Sequence, residues 1–565
     1  NIYTTGYFSD TVDFDPGAGV SNLISYGGYD VFISKMDKNK NLIWVKQFGG
    51  VDNGSGNSIK VDNNGNVYTV GDFRDNFIFD TNGTTVNYNS GSLFGSSGIY
   101  ISKLDVNGNL VWVNSIGNDK QLYVNSLDLD LSGNVVFTGR FGGFSIDFDP
   151  NGTGYLVTSN TASFDAYICK YDNNGSFVWL KNFGSSGNDE GKSIVIDELE
   201  NIYTTGMFTG TNVNFNPSGS HLLSSNGQED IFISKIDANG NFIWAKSIGA
   251  SNHDNGNSIA LDNSNNVFVT GFYEGTVDFD PSVGGVNNIV SYGQEDGFIL
   301  KLDLNGNYIW ANKIGGTNVE KGYSVSTDFE GNVYGTGSLI DTINLNPNGI
   351  AYNLISNGLL DYYVVKYDPT GNFIWAKNIG GTANEFAHSI SVNLIGDVFT
   401  TGYFDANGTS DFDPDSPIYN LSPIGTHDLF IHKMSQSFIS HDTACDMFLS
   451  ASGKTYTSSG TYFDTTGTNA SGCPIIDIYQ ITLEDVFRDT LVLPLCNGLA
   501  NSPFTNTVFM STGYYSTTYK TALGCDSIYV IQVVSPTNLV TNTQNSGPGS
   551  LREAIAHACE GDTVR

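Results

Sequence analysis

NIYTTG occupies residues 1–6 and returns unchanged at 201–206. Its relatives are NVYTVG ending at Gly71, NVVFTG at Gly139, NVFVTG at Gly271, NVYGTG at Gly337 and DVFTTG at Gly402. The closing glycines, from Gly6 to Gly402, are spaced 65, 68, 67, 65, 66 and 65 residues apart. Self-similarity at one fixed period marks an array of a single supersecondary unit. Other strings keep the same phase. DVFISKMD (30–37) returns as IYISKLD, DAYICKYD, DIFISKID, DGFILKLD, DYYVVKYD and DLFIHKM (428–434). NLIWVKQFGG (41–50) returns around Trp112, Trp179, Trp244, Trp310 and Trp375, so with Trp44 all six tryptophans share one position. NSIKVD (57–62) returns at Ser126, Ser193, Ser258, Ser324 and Ser389.

Each unit therefore holds four segments with the period-2 alternation of β-strands. Between them stand DNNGN (62–66), DVNGN (105–109) and DANGN (237–241), tight hairpin turns built on residues that reach positive φ cheaply. A four-stranded antiparallel unit repeated seven times predicts an all-β chain with a seven-bladed β-propeller of ~66-residue repeats. A linear solenoid is the alternative, but four strands per unit suit a closed ring better.

Composition agrees and excludes other classes. The chain has 565 residues, 66 of them glycine, and only 15% are charged, which favours strands and turns over helices. Lys+Arg 25 against Asp+Glu 58 leaves a net charge of −33, the wrong sign for nucleic acid or an anionic membrane surface. No apolar run approaches the ~18 residues of a membrane-spanning helix. Seventy-two aromatic residues (36 Phe, 30 Tyr, 6 Trp) argue against disorder.

The KxD–NGN–IW–K run, the IGG after it, the SIxxD–xxGN turn and the VYTTG strand together resemble the bacterial SBBP-type β-propeller repeat, and more distantly the NHL-type blade. The resemblance covers residues 1 to about 440. It implies that SIxxD is the innermost strand and the Trp strand the outermost. One departure is an insertion of roughly 20 residues between the second and third strands, containing TVDFDP (11–16). The seventh copy is degraded, with Ser440 where Trp stands in the others, and the first copy has no SIxxD strand before it. The expectation is a fragment or processed chain.

Past residue 440 the composition shifts to Ser, Thr and Cys. Residues 445–473 are echoed by 496–525, which predicts small β-sandwich-like modules over 441–490 and 491–537 like those of large bacterial secreted proteins. Residues 538–565 resemble the entry segment of a parallel β-helix, with Ser550 and Glu553 as the capping box of a short helix. Cys445, Cys473, Cys496 and Cys525 stand at matching ends of the two modules. Disulfides Cys445–Cys473 and Cys496–Cys525 are the expectation, and buried thiols the alternative.

The insertion carries acidic pairs: Asp13/Asp15, Asp147/Asp149, Asp278/Asp280 and Asp411/Asp413, with Asn214/Asn216 and Asn344/Asn346 in the same place. Calcium would use such oxygens, and it is the cofactor they could take. Free exchange of Asp with Asn favours Asx-turn bonding to local backbone instead. Asp128–Gly139 imitates an EF-hand loop but ends in Gly where Glu is needed, and Gly191-Lys192-Ser193 imitates a P-loop but lacks the first glycine. Neither GxSxG nor HExxH occurs, and the seven histidines are out of phase. Lys35, Lys103, Lys170, Lys235, Lys301, Lys366 and Lys433 recur in every unit. A ring that binds an anion is one reading; pairing with a repeat Asp is the favoured one.

No catalytic residue is assigned. The expected function is that of a non-enzymatic, extracellular or cell-surface interaction protein. Its propeller would offer loops to a protein or glycan partner, without nucleic acid or membrane insertion. The rival is a polysaccharide lyase or hydrolase acting at the propeller mouth or beyond residue 565.

Overall fold

A blade forms because a four-segment meander pairs in chain order. In the fifth, Asn255–Leu261, Val267–Tyr273, Asp296–Leu302 and Tyr308–Ile314 lie side by side, antiparallel throughout. The first of these is the inner strand and the Trp strand is the outer one. The third strand is buried at every position, since a neighbouring blade covers each face. Turns are fixed by their own side chains. Asp303 Oδ1 accepts the N–H groups of Asn305 and Asn307, Oδ2 accepts Asn307 Nδ2, and Gly306 adopts φ +77°. Asp37, Asp105, Asp237 and Asp368 hold identical turns.

This computed structural model describes residues 1–434 apart from 82–83, 90–96, 118–120, 144, 160–162, 283, 394–395, 407 and 414–418, and scattered segments from there to Val534. It is a seven-bladed β-propeller, and no helix occurs among the described residues. Blades two to six have four strands. The first has Ile2–Phe8, Asp30–Met36 and Leu42–Gly50, without an inner strand; the seventh has Glu385–Val392, Val398–Asp405 and His427–Met434. Inner strands pack on one another in sequence around the axis, each blade's strand next to that of the following blade. The serine of SIxxD protects their open edges: Ser58, Ser126, Ser193, Ser258 and Ser324 each accept a backbone N–H from the next inner strand at 3.2–3.3 Å. The ring returns on itself, for Tyr7 and Lys40 of the first blade lie within electrostatic reach of Tyr403 and His432 of the last.

The insertion is a rim hairpin, such as Thr276–Asp278 paired with Asn288–Val290. Its apolar side chains are core rather than display. Val277 and Phe279 are buried with Ile231 and Ile248 of the fourth blade and Phe298 of the fifth. In the second blade, Asn76–Thr81 adds to the outer strand of the first, with Phe79 opposite Phe48. In the third to sixth blades the first half of the insertion is thus an inter-blade buckle, and the tip is left for recognition.

The chain divides at Ser435/Gln436, a little before the expected residue 440. The second unit holds two three-stranded sheets of one topology, besides two short two-stranded ones. Ser437–Cys445 pairs parallel with Pro474–Glu484, which pairs antiparallel with Gly460–Thr468. Arg488–Pro494, Asp526–Val534 and Gly513–Lys520 repeat the arrangement. The sequence echo is therefore a structural repeat, with its first strand ending at Cys445 in one copy and two residues before Cys496 in the other. Residues 538–565, with the expected helix at 550–558, lie outside the described residues.

Candidate functional site: the channel mouth and its scaffold

The repeated lysines and tryptophans form one clamp between successive blades. The Nε1–H groups of Trp44, Trp112, Trp179, Trp244 and Trp310 donate to Val106, Asn173, Ala238, Leu304 and Pro369 O of the next blade's turn, at 3.0–3.3 Å. Lys35 and Lys301 Nζ donate to the same carbonyls as their neighbouring tryptophans, at 2.9 Å. The turn glycine lets the indole lie flat: a Cβ on Gly371 would stand 2.8 Å from Trp310. For Trp375 the corresponding turn falls at 435–436, outside the described residues. Lys170, Lys235, Lys301, Lys366 and Lys433 also hold an Asp of their own blade, as in Lys170–Asp130 at 2.8 Å, Lys301–Asp262 at 3.4 Å and Lys433–Asp397 at 2.7 Å. Most stand over the aromatic ring opposite them, Lys301 at 4.8 Å from Phe268. These cations are committed to the scaffold.

The insertion pairs are Asx turns. Asp13, Asp147, Asp278 and Asp411 Oδ1 each accept two backbone N–H groups, one from Asp15, Asp149, Asp280 or Asp413 and one from the returning strand. Asn214 and Asn344 do the same through the amide oxygen. An oxygen aimed at N–H donors serves Asp and Asn equally, which explains their exchange. No cluster of three metal-ligating side chains occurs among the described residues.

A second set of acids is buried between blades. Asp230, Asp296 and Asp361 begin third strands, and their carboxyls fill the space above the first glycine of each IG pair. A Cβ on Gly249, Gly315 or Gly380 would meet them at 2.3–2.5 Å. Asp254, Glu320 and Glu385 open the next inner strands within electrostatic reach of them. Burial pushes these three carboxyls up to about 7.

Of the cysteines, Cys169 is free and buried, and burial pushes its thiol well up. Cys496 is disulfide-bonded, its partner not among the residues whose side chains are described. Cys473 and Cys525 lie outside the described residues. The parallel register sets Cys445 beside Glu484.

Chain direction separates two faces. The Asp-x-x-Gly-Asn turns lie on one. The other carries the insertions, the links from outer to inner strands, and the channel mouth. At the mouth the repeat breaks down. The residue after each TG-type glycine is Tyr7, Asp72, Arg140, Met207, Phe272, Ser338 or Tyr403. Where Asn57, Asn125 and Asn257 tie down the carbonyls of Val124, Gly191 and Gly322, the equivalent places elsewhere hold Lys192, Tyr323 and His388. The mouth's cations are mostly paired: Arg140 (3.4 Å) and Lys192 (3.1 Å) bind Glu190, and Lys321 binds Glu295 at 2.7 Å. Arg140 also lies over Tyr123 and Phe164 at 4.9 and 4.7 Å.

A pocket of about 240 Å³ opens here between blades one, two and three, lined by Tyr7, Tyr29, Asn53, Ser55, Asp72, Arg74 and Tyr123. Tyr7 and Tyr29 meet edge to face at 5.1 Å, and both are about half exposed. Asp72 accepts Asn57 Nδ2 at 2.6 Å and Val124 N–H at 3.1 Å, and burial pushes its carboxyl up to about 7. Sequence reading passed over Asp72 because it is one acid among 58. The signal that marks it is the lack of repetition at its position.

The SBBP family model, described as a β-propeller repeat, matches residues 43–72, 178–216 and 243–271. The chain carries SBBP β-propeller repeats. An uncharacterized WD repeat-containing protein of Acanthamoeba polyphaga mimivirus is 26% identical over 448 residues, covering 65% of this chain but only 31% of that protein. Among solved structures, a DUF4221 family member from Bacteroides vulgatus matches with TM-score 0.23 at 11% identity, over 61% of this chain and 88% of its own. The extracellular domain of a putative one-component system from B. thetaiotaomicron matches with TM-score 0.17 at 10% identity, over 92% and 75%. Neither structural likeness bears on function.

Proposed function

We propose that the protein is a non-enzymatic interaction scaffold that holds a protein or glycan ligand on the face bearing the insertions and the channel mouth. The observation that carries this reading is the asymmetry of variation. On one face the Asp turns keep the same two backbone bonds from blade to blade, while at the mouth equivalent positions hold Tyr, Asp, Arg, Met, Phe and Ser. A scaffold carries recognition where its repeat is free to vary. The second unit acts as a spacer. An extracellular or cell-surface location is supported by the disulfide at Cys496 and by a net charge of −33, which favours solubility. The bacterial, secreted assignment rests on the sequence resemblance alone. The test is a binding screen of the full chain against purified proteins and glycans, run beside hydrolase and lyase assays, with cell fractionation for location. Saturable binding without turnover is the expected result.

One observation favours the rival. Asp72, its carboxyl pushed up to about 7 by burial, lies within electrostatic reach of Glu190, and glycosidases work with a pair of carboxyl groups. Turnover abolished by Asp72→Asn would replace the scaffold reading with the enzyme.

A further inference from the structure

We propose that the pocket between blades one, two and three binds one neutral sugar ring of a glycan, with Tyr29 and Tyr7 against its C–H face and Asp72, Arg74 and Asn53 holding its hydroxyls. This rests on reading the insertion face as the ligand side, and names the ligand class. Four features of the pocket support it.

Size is the first. A volume of about 240 Å³ falls below the ~300–1,000 Å³ of drug-sized sites and suits a single ring. Aromatic surface is the second. Tyr29 is 47% exposed, although a tyrosine gains by burial, and its ring meets that of Tyr7 at 61°, so the pair presents more than one apolar plane. The third is unspent hydrogen-bonding capacity. The hydroxyls of Tyr7 and Tyr29 have no partner among the described residues, and Arg74 is exposed and makes no ion pair there. Asp72 uses one bond on each oxygen, which leaves an acceptor site on both. Apolar planes ringed by a carboxylate, a guanidinium and an amide match a pyranose, which has an apolar face and a rim of hydroxyls that both donate and accept.

Charge is the fourth feature. Neighbouring mouth cations are spent on Glu190 and Glu295, and the chain carries −33, so an anionic polymer meets Arg74 alone against a repulsive field.

The experiment is affinity electrophoresis of the full chain through gels containing a soluble β-glucan, a mannan, an arabinoxylan or a polyuronate, with Tyr29→Ala, Arg74→Ala and Asp72→Asn alongside. Thermal melts report folding. Tyr29 and Arg74 are exposed, so those two variants keep the fold even if Asp72→Asn does not. At least one neutral polymer should retard the wild type, its free monosaccharide should compete, and Tyr29→Ala and Arg74→Ala should each weaken retardation at least tenfold. Retardation untouched by both variants overturns the pocket. Retardation by the polyuronate alone, or by none, overturns the ligand class. If no glycan binds but a purified protein saturates the chain and Tyr29→Ala weakens it, this inference fails while the scaffold reading stands. If neither binds on this face, both fail.

Discussion

The two faces of the propeller treat the same residue type in opposite ways. On the turn face an aspartate is spent locally. Burial is the largest single influence on Asp105, Asp237, Asp303 and Asp368 and raises them, but together their bonds to the backbone and side chain of an asparagine four residues on outweigh it and hold the carboxyls below the usual range. Toward the other face the acids are buried between blades, and burial dominates: Asp72, Asp254, Glu320 and Glu385 rise to about 7. The first set is repeated because a turn has one solution. Of the second set, Asp72 stands at a position that the seven blades fill with six different residue types. Invariance within the chain marks scaffold, and its loss marks the place where chemistry is free to differ.

The largest effect belongs to the clamp between blades. Trp310 is 9% exposed and donates to Pro369 O, so Trp310→Ala should cost ~3–5 kcal/mol in denaturant unfolding. No measurable loss would separate the blades energetically and break the account of the turn face. Next comes the acid–glycine contact. Gly249→Ala places a methyl 2.4 Å from Asp230 Cγ, an overpacking change of ~1–3 kcal/mol. Asp230→Ala in the same background should recover part of it.

A smaller effect sharpens the contrast through pH. Asp254, Glu320 and Glu385 keep their protons in the fold up to about pH 7, whereas the unfolded groups release them near 3.8 or 4.5. Between those values the native state binds more protons, so their contribution is full below about pH 4 and lost as pH rises toward 7. Urea midpoints should show this fall, and Glu320→Gln should flatten it. The turn aspartates act with the opposite sign, their contribution fading as pH drops below 3.8. A pH profile unchanged by Glu320→Gln would remove the inter-blade acids from the account.

Much of this was legible in the sequence because repetition turns one chain into its own alignment. The fold, the strand order, the common place of the tryptophans and the pairing of lysine with a repeat aspartate all follow from in-phase strings. The exchange of Asp147 for Asn214 at one position already pointed to Asx turns. What escaped was whatever did not repeat. Asp72 and Arg74 carry no motif, and their meaning depends on Tyr7 and Tyr29 being brought beside them from another blade. The core role of the insertion was also hidden, since Phe279 in VDFDP reads as loop until the fourth blade covers it. In the second unit the parallel pairing of Ser437–Cys445 was not visible, because that strand stands where a propeller strand was expected.

The central claim is that one face builds the fold and the other meets the ligand. It is tested most directly by a matched pair, Asp303→Ala on the turn face and Tyr29→Ala on the insertion face, each measured for unfolding midpoint and for retardation by the neutral polysaccharides. Asp303→Ala removes several turn hydrogen bonds at ~0.5–1.5 kcal/mol each, so it should lower the midpoint and leave retardation unchanged. Tyr29→Ala should hold the midpoint within ~0.5 kcal/mol and abolish retardation. Loss of binding in Asp303→Ala at full stability, or full binding in Tyr29→Ala, would contradict the division.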